Sequence, residues 1–300
     1  MPSARGRARP VRPIVLGLVL AVAVLGATPA SHAGVAAPTA PTTIVWGEGG
    51  VGVRAPARGR WVQATFDLAE GGALSLFARR RADGSLQVGP QTGSRARQAP
   101  AAAAAPGECA DAAYVFGGGQ WRQTLRWFFN PRGNPPQLPV ADAEAAFRDG
   151  TRNVAVAYNL CGRPDAVRAS VEYRGRAVHD PGIVGTLCLG ADGINVVGWA
   201  VLPRPILAGT CNYGLGSELV ESDVVFNNLV PWYRTRPGVC LQMYDLTAVA
   251  THERGHSLGL GHVAEETHPH LTMSTQTAAC DGSASTLGLG DMLGLEALYP

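Results

Sequence analysis

The sequence predicts an α+β protein, with about five strands and three helices around one core and a small β-rich segment before it. Short runs rich in Val and Ile alternate with apolar residues at helical spacing in the C-terminal two-thirds. An alanine run at residues 101–105, between two prolines, separates this region from short alternating strands. With 46% hydrophobic and 16% charged residues, the chain has the apolar content of a folded protein, which excludes a disordered one.

The first 33 residues have the organisation of a secretory signal peptide. They contain four arginines and no acidic residue, then an apolar run at 14–27 that is too short to span a bilayer. Small residues follow, so we expect cleavage after Ala33, with Ala30 as the alternative site. An uncleaved membrane anchor is the other interpretation. Cleavage would give a secreted, extracellular protein with no membrane association.

Charge is distributed unevenly along the 300 residues. All 25 basic residues are arginine and 23 residues are acidic. Residues 34–106 hold eight Arg against four acids (+4), whereas residues 107–300 hold thirteen against nineteen (−6). Phosphate binding needs clustered Arg or Lys, so the acidic C-terminal part predicts no nucleic-acid partner.

Residues 34–97 form a candidate pro-segment or small β-meander. Apolar and polar residues alternate over 62–68, and turn residues separate this strand from two more near 74–78 and 86–88. An Ala/Pro linker at 98–107 follows, and the main domain extends from 108 to 300. Three strands alone are marginally stable, so this segment needs a packing partner.

Beyond the linker the pattern predicts alternating strands and helices. Asp245 is placed as an N-cap, which sets the start of the second helix. The predicted strands are 125–129, 169–173, 194–200, 206–211 and 219–226, and the predicted helices are 140–158, 246–258 and 289–298. About 190 residues with these elements can bury one substantial core.

Six cysteines, all beyond residue 107, predict three disulfides in an exported chain. They are Cys109, Cys161, Cys188, Cys211, Cys240 and Cys280. We expect the pairs Cys240–Cys280 and Cys188–Cys211 among fifteen possible connectivities. No Cys-x-x-Cys spacing occurs, which argues against zinc bound by thiolates.

Residues 251–262, Thr-His-Glu-Arg-Gly-His-Ser-Leu-Gly-Leu-Gly-His, carry the strongest chemical signal. His252 and His256 are four residues apart, so on a helix both rings leave one face and can bind one ion. Gly259 stands where the helix must end, because glycine readily takes the left-handed conformation. The chain can then return and present His262. Three imidazoles with one open position describe a catalytic zinc site.

Glu253 is the candidate general base. The helical period sets its carboxylate beside the metal rather than on it. Zinc lowers the pKa of its bound water toward ~7. Glu253 would accept the water proton as a peptide carbonyl is attacked, then deliver it to the departing amine. Two surface histidines on a helix are the ordinary alternative, but the glycine and third histidine in register make chance a weak explanation.

This pattern resembles the metzincin signature His-Glu-x-x-His-x-x-Gly-x-x-His with its Met-turn, here Met273. It is most similar to matrixins and their bacterial secreted relatives, as are residues 219–227, 290–295 and 298–299. The resemblance covers roughly residues 109–300 and is nearly absent over 34–106. It implies a zincin-like fold with a twisted, mixed five-stranded sheet, and a secreted zinc metalloendopeptidase of the extracellular-matrix type.

Departures from the matrixin pattern limit what is carried over. Val263, Ser274 and Thr275 stand where matrixins usually have Ser, Tyr and Pro, and His179 is the only histidine near the place of their second zinc. We therefore predict one catalytic zinc; calcium is possible but not indicated. The resemblance implies substrate pairing along the edge strand at 206–211, although an ordinary inner strand is equally compatible. His268 and His270 are expected to be exposed.

Residues 160–165, Leu-Cys-Gly-Arg-Pro-Asp, resemble the cysteine switch of matrixin propeptides. They follow the first strand and helix of the main domain, where no removable segment lies, so we expect Cys161 to be a half-cystine. Residues 34–106 contain no cysteine. If they silence the enzyme, a carboxylate must cover the zinc: Glu48, Asp67, Glu70 or Asp83.

The sequence thus predicts a secreted endopeptidase that hydrolyses peptide bonds of protein or peptide substrates through a zinc-bound water. The alternative is an exported binding or adhesion module, stabilised by zinc and without turnover. A zinc hydrolase of non-peptide amides is a third possibility. A purely structural zinc site would not need Glu253. The oligomeric state and the preferred side chains of the substrate are not determined by the sequence.

Overall fold

The computed structural model describes residues 43–69, 71–89, 105–275 and 277–300. The predicted signal peptide and most of the predicted linker lie outside these ranges. The described residues form one compact unit. Within the described ranges, no helix combines the length and apolar character needed to cross a membrane.

The described chain contains sixteen strands and three α-helices. The strands are β1 Ile44–Trp46, β2 Gly52–Arg54, β3 Arg60–Leu68, β4 Ala73–Arg80, β5 Leu86–Gly89, β6 Val115–Phe116, β7 Leu125–Phe129, β8 Val171–Arg176, β9 Ile183–Val184, β10 Leu187–Cys188, β11 Asn195–Ala200, β12 Ile206–Leu215, β13 Glu218–Asn227, β14 Trp232–Tyr233, β15 Tyr244–Asp245 and β16 Leu260–Gly261. The helices are α1 Val140–Ala155, α2 Leu246–Ser257 and α3 Leu289–Leu298. This is the predicted mixed α+β class with three helices.

An eight-stranded mixed sheet, ordered β5-β4-β3-β12-β13-β11-β7-β8, forms the centre of the fold. Strands β7, β8, β11 and β13 run parallel, and β12 pairs antiparallel with β13. These are the five strands predicted beyond the linker. Three more come from the N-terminal segment, defined here as residues 43–89, so the predicted count of five is too low for the whole sheet. Apolar and polar side chains alternate along β3, so the strand can pair with β12 and bury its apolar face. The sequence alone does not show which strand it pairs with.

Strand β12 is therefore an inner strand in this chain. Residues 60–68 of β3 pair antiparallel with it along almost its whole length, with one irregularity near Ala208. The N-terminal segment also adds β1 and β2 to a small sheet, in which β2 runs parallel to β10. The sequence left open whether this strand is an edge or an inner strand, and β3 decides it.

Helix α1 covers one face of the sheet. Its buried side chains, among them Ala143, Phe147 and Val154, recur at spacings of three and four residues, which is the stripe of an amphipathic helix. Phe147 packs against aromatic rings of three strands, including Phe129 and Phe226. This aromatic packing gives the helix a fixed position above β7, β11 and β13.

Helix α2 packs against both α1 and the sheet and is buried almost throughout. Asp245 caps it as predicted, since its carboxylate accepts the backbone N–H groups of Thr247 and Ala248 at 2.8 and 3.0 Å. Gly150 of α1 lets the two helices approach closely. A Cβ at Gly150 would lie 2.8 Å from the backbone of Ala250.

The opposite face of the sheet carries a core that both parts of the chain build, here called the shared cluster. The N-terminal segment contributes Val51, Val53, Val62, Ala64, Phe66, Leu76 and Ala78, and the later chain contributes Ile183, Cys188, Leu202, Ile206, Cys211, Tyr213 and Val225. Burial of apolar side chains is the main favourable term in folding. The N-terminal segment is thereby packed as part of the main core.

Three disulfides join all six cysteines: Cys109–Cys161, Cys188–Cys211 and Cys240–Cys280. Both pairs expected from the sequence are present. Cys161 is a half-cystine, as its position in the chain predicts. It therefore offers no free thiolate to a metal.

We expect Gly150→Val to lower the free energy of unfolding by about 1–3 kcal/mol, because the new side chain forces α1 away from α2. Urea unfolding with the disulfides intact measures this change. Gly238→Val is the matched control, since a Cβ there meets open space. Equal stability of the two variants would contradict the importance of this contact.

Candidate active site

Helix α2 brings His252 and His256 together on one face. Their Nε2 atoms lie 3.1 Å apart, and both rings are buried. This juxtaposition follows from the four-residue spacing alone. The pair faces β3 and the loop that follows α2.

A sharp turn after α2 brings back the third histidine. Gly259 has φ +93°, and a Cβ there would overlap the carbonyl oxygen of Gly119. No other residue type fits both constraints. The chain returns through β16, and the Nε2 atom of His262 lies 3.0 Å from that of His252 and of His256.

The protonation of two rings follows from their backbone partners. Nδ1 of His252 lies 2.6 Å from the carbonyl oxygen of Thr272, and Nδ1 of His256 lies 3.0 Å from that of Leu260. A carbonyl only accepts, so each Nδ1 carries a proton, and in the neutral ring the lone pair lies on Nε2. Burial and the neighbouring histidines lower the pKa of His256 well below its usual value, which keeps this ring neutral.

This donor set fits a zinc ion. Ordinary Zn–N lengths and tetrahedral angles place ligand nitrogens about 3.3 Å apart. The three Nε2 atoms, at 3.0–3.1 Å, are close to this spacing. Lone pairs converging in a buried place repel one another, and a cation between them removes that cost.

The Met-turn lies beneath the histidines and is held by one carboxylate. Asp291 of α3 accepts backbone N–H groups from Thr272 at 2.8 Å and from Met273 at 3.1 Å. Met273 is buried, and a side chain at Gly255 would overlap its sulfur. The carbonyl of Thr272 orients the ring of His252. Asp291 holds the backbone of Thr272 in place, so it positions this candidate zinc ligand indirectly.

Glu253 directly follows His252 on α2. Its side chain is fully buried, and Oε2 accepts a hydrogen bond of 2.5 Å from Thr210 of β12. Within the described chain Oε1 accepts no N–H or O–H donor, and the carboxylate of Asp67 is its acidic neighbour. Burial, and then the charge of nearby Asp67, raise the pKa of Glu253 well above its usual value.

Asp67 of β3 completes the cluster. One oxygen lies 2.8 Å from Nε2 of His262, and the other lies 3.4 and 3.8 Å from those of His252 and His256. The four donor atoms lie within 4.8 Å of one another. Burial raises the pKa of Asp67, but its contacts with the rings of His252 and His262 lower it more, so the group is anionic. Against the effect of burial, the same contact with Asp67 raises the pKa of His252.

The sequence named Asp67 as one of four carboxylates that could reach the zinc. Glu48 and Asp83 are exposed, and Asp83 accepts a hydrogen bond from the backbone N–H of Ser85 in its own turn. Among the described residues, only Asp67 joins the three histidines. Glu70 lies outside the described residues. Sequence reasoning missed Thr210 entirely, because nothing local shows which strand covers Glu253.

The expectation of an exposed His268 is wrong. This ring is 6% exposed, and its Nδ1 lies 2.8 Å from a carboxylate oxygen of Asp111, which is also buried. The two residues are 157 positions apart, so only the fold reveals the pair. His270 is exposed, as expected.

A mixed sheet with a helix that carries two of three converging histidines is compatible with a zincin-like fold. Residues 192–300 match the family model of the matrixins, Peptidase_M10. This part of the chain is therefore matrixin-like, and the recognition of a matrixin-like metallopeptidase is confirmed. No curated protein matches the chain. The family match supports a zinc-dependent peptidase acting on protein or peptide, and it begins after the N-terminal segment.

We expect Asp291→Ala to weaken zinc binding about 10–100-fold, because the carbonyl that orients His252 loses its support. Competition with a chromophoric chelator measures the affinity. Glu296→Ala on the same helix is the control, since Glu296 makes only a 3.4 Å ion pair with Arg163. Unchanged affinity in Asp291→Ala would refute this role.

Proposed function

We propose that the chain is a secreted zinc-dependent endopeptidase in which His252, His256 and His262 bind one catalytic zinc ion. The matrixin-like match and the fit of the three Nε2 atoms to zinc support this assignment. A signal peptide at 1–33 and three disulfides support secretion. On this proposal residues 34–97 form a pro-segment, 98–107 a linker and 108–300 the catalytic domain.

Zinc bound here would supply the lowered pKa of a coordinated water and a positive charge for the developing oxyanion. The other steps belong to residues of this chain. Glu253, held by the hydroxyl of Thr210, accepts the proton from water and passes it to the departing amine. Its free oxygen Oε1 is the position from which that proton transfer occurs.

One observation carries the proposal: a buried carboxylate lies beside three converging imidazoles with one oxygen unpaired. An unsatisfied buried polar atom lowers stability by about 1–3 kcal/mol. A site that only stabilises the fold gains nothing from it, whereas a hydrolytic site needs it as a base.

The second candidate is a zinc-stabilised binding or adhesion module without turnover. Asp67 favours it, because four protein ligands are typical of closed, structural zinc sites. Glu253 has no role in such a module. The two candidates differ in whether the protein hydrolyses peptides after the N-terminal segment, with Asp67, has been removed.

We expect Glu253→Gln to lower peptide hydrolysis by about 10²–10⁴-fold, because the amide cannot accept the water proton. Zinc content should stay the same, since Glu253 is not a ligand. Hydrolysis of a mixed peptide library, before and after limited proteolysis of the N-terminal segment, measures the change, and the cleavage sites show whether peptide bonds are cut.

Glu266→Gln, an exposed carboxylate in the following loop, is the matched control. Chelator-treated protein is the second control. Equal hydrolysis by Glu253→Gln and wild type, or none by fully zinc-loaded wild type after the segment is removed, would overturn the peptidase assignment.

A further inference from the structure

We infer that the N-terminal segment keeps the enzyme latent: Asp67 takes the fourth place on the metal, and β3 fills the position in which an extended peptide would pair with β12. The inference rests on the proposed function. It concerns regulation of the same site. It gives a role to the N-terminal segment, which lies outside the family match.

Asp67 approaches the histidines from their open side. His252 and His256 come from α2 and His262 from the following turn, whereas Asp67 belongs to a strand almost 200 residues earlier in sequence. Its two oxygens lie 2.8–3.8 Å from the three Nε2 atoms. Three nitrogens and one carboxylate oxygen complete the tetrahedral shell of zinc. No ligand position is then left for water.

Strand β3 also covers the general base. Gln63, Thr65 and Asp67 alternate along its buried polar face, and Thr65 pairs with Thr210 in the ladder. Thr210 donates to Glu253 from the same face of the sheet. Backbone groups of β12 that could receive another strand are engaged by β3. The segment thus blocks the metal and the adjoining strand position together.

Noncovalent packing, and not only the linker, holds the segment in place. Seven of its apolar side chains fill half of the shared cluster. The opposite charges of residues 34–106 (+4) and 107–300 (−6) add attraction. A cut in the linker should therefore leave the segment bound, and activation requires its degradation or displacement as well.

The first test replaces zinc by cobalt(II) in the full chain and compares wild type with Asp67→Ala. The visible spectrum of the wild type should stay constant across neutral pH and should not respond to azide. Asp67→Ala should bind azide, show an ionisation near ~7 from the admitted water, and bind zinc about 10–100-fold more weakly.

Asp83→Ala removes an exposed carboxylate of the same segment and should behave as wild type. If Asp67→Ala does not fold, Asp67→Asn retains the size of the side chain and loses the charge. A cobalt spectrum and azide response identical to wild type in whichever of these variants folds would overturn the inference.

The second test cuts the wild-type chain with trypsin at the arginines of residues 90–106 and follows the products by gel filtration. The two parts should elute together and remain inactive, and hydrolysis should rise about 100-fold or more once the segment is digested away. Full activity of the uncut chain would overturn the inference.

The two tests distinguish this inference from the proposed function. Cobalt spectra that change in Asp67→Ala support the metal contact even where no peptide is cut. Absence of turnover after complete removal of the segment overturns the peptidase assignment and leaves the contact of Asp67 standing as a structural one.

Discussion

The convergence of three imidazole Nε2 atoms within 3.1 Å of one another is the constraint on which the rest of the site depends. Nitrogen lone pairs that face each other in a buried place repel one another, and a cation between them removes that repulsion. Each surrounding feature enforces that convergence. The carbonyls of Thr272 and Leu260 fix two tautomers, and Gly259 turns the chain so that His262 can arrive.

The same place shows how a reactive site is contained. On the proposed function, a zinc ion with an open coordination position would act on any peptide that reaches it. Asp67 and β3 offer the metal an internal ligand and offer β12 an internal partner. Because β3 also contributes side chains to the shared cluster, the packing that stabilises the fold would also hold the proposed latent state. On this proposal, activation would therefore have to disrupt part of the shared cluster.

Most elements of the later chain could be predicted from sequence because their signals are local. Strand β7 and helix α3 have the predicted bounds, and Asp245 caps α2 as expected. Helix α1 ends three residues earlier than the predicted 158. The histidine motif could be predicted for the same reason. His252, His256 and the helix-ending Gly259 lie within a dozen residues of one another, so local helical geometry determines their arrangement.

By itself, the sequence determined the class of fold, the helix that carries the histidine pair, the return of the third histidine and the even number of cysteines. These rest on helical period, strand alternation and glycine conformation, which act between near neighbours. Only the tertiary structure decided that β3 joins the main sheet, that Asp67 is the carboxylate facing the histidines, and that His268 meets Asp111. Those contacts join residues more than a hundred positions apart, and they depend on how two apolar surfaces pack, which no local pattern encodes.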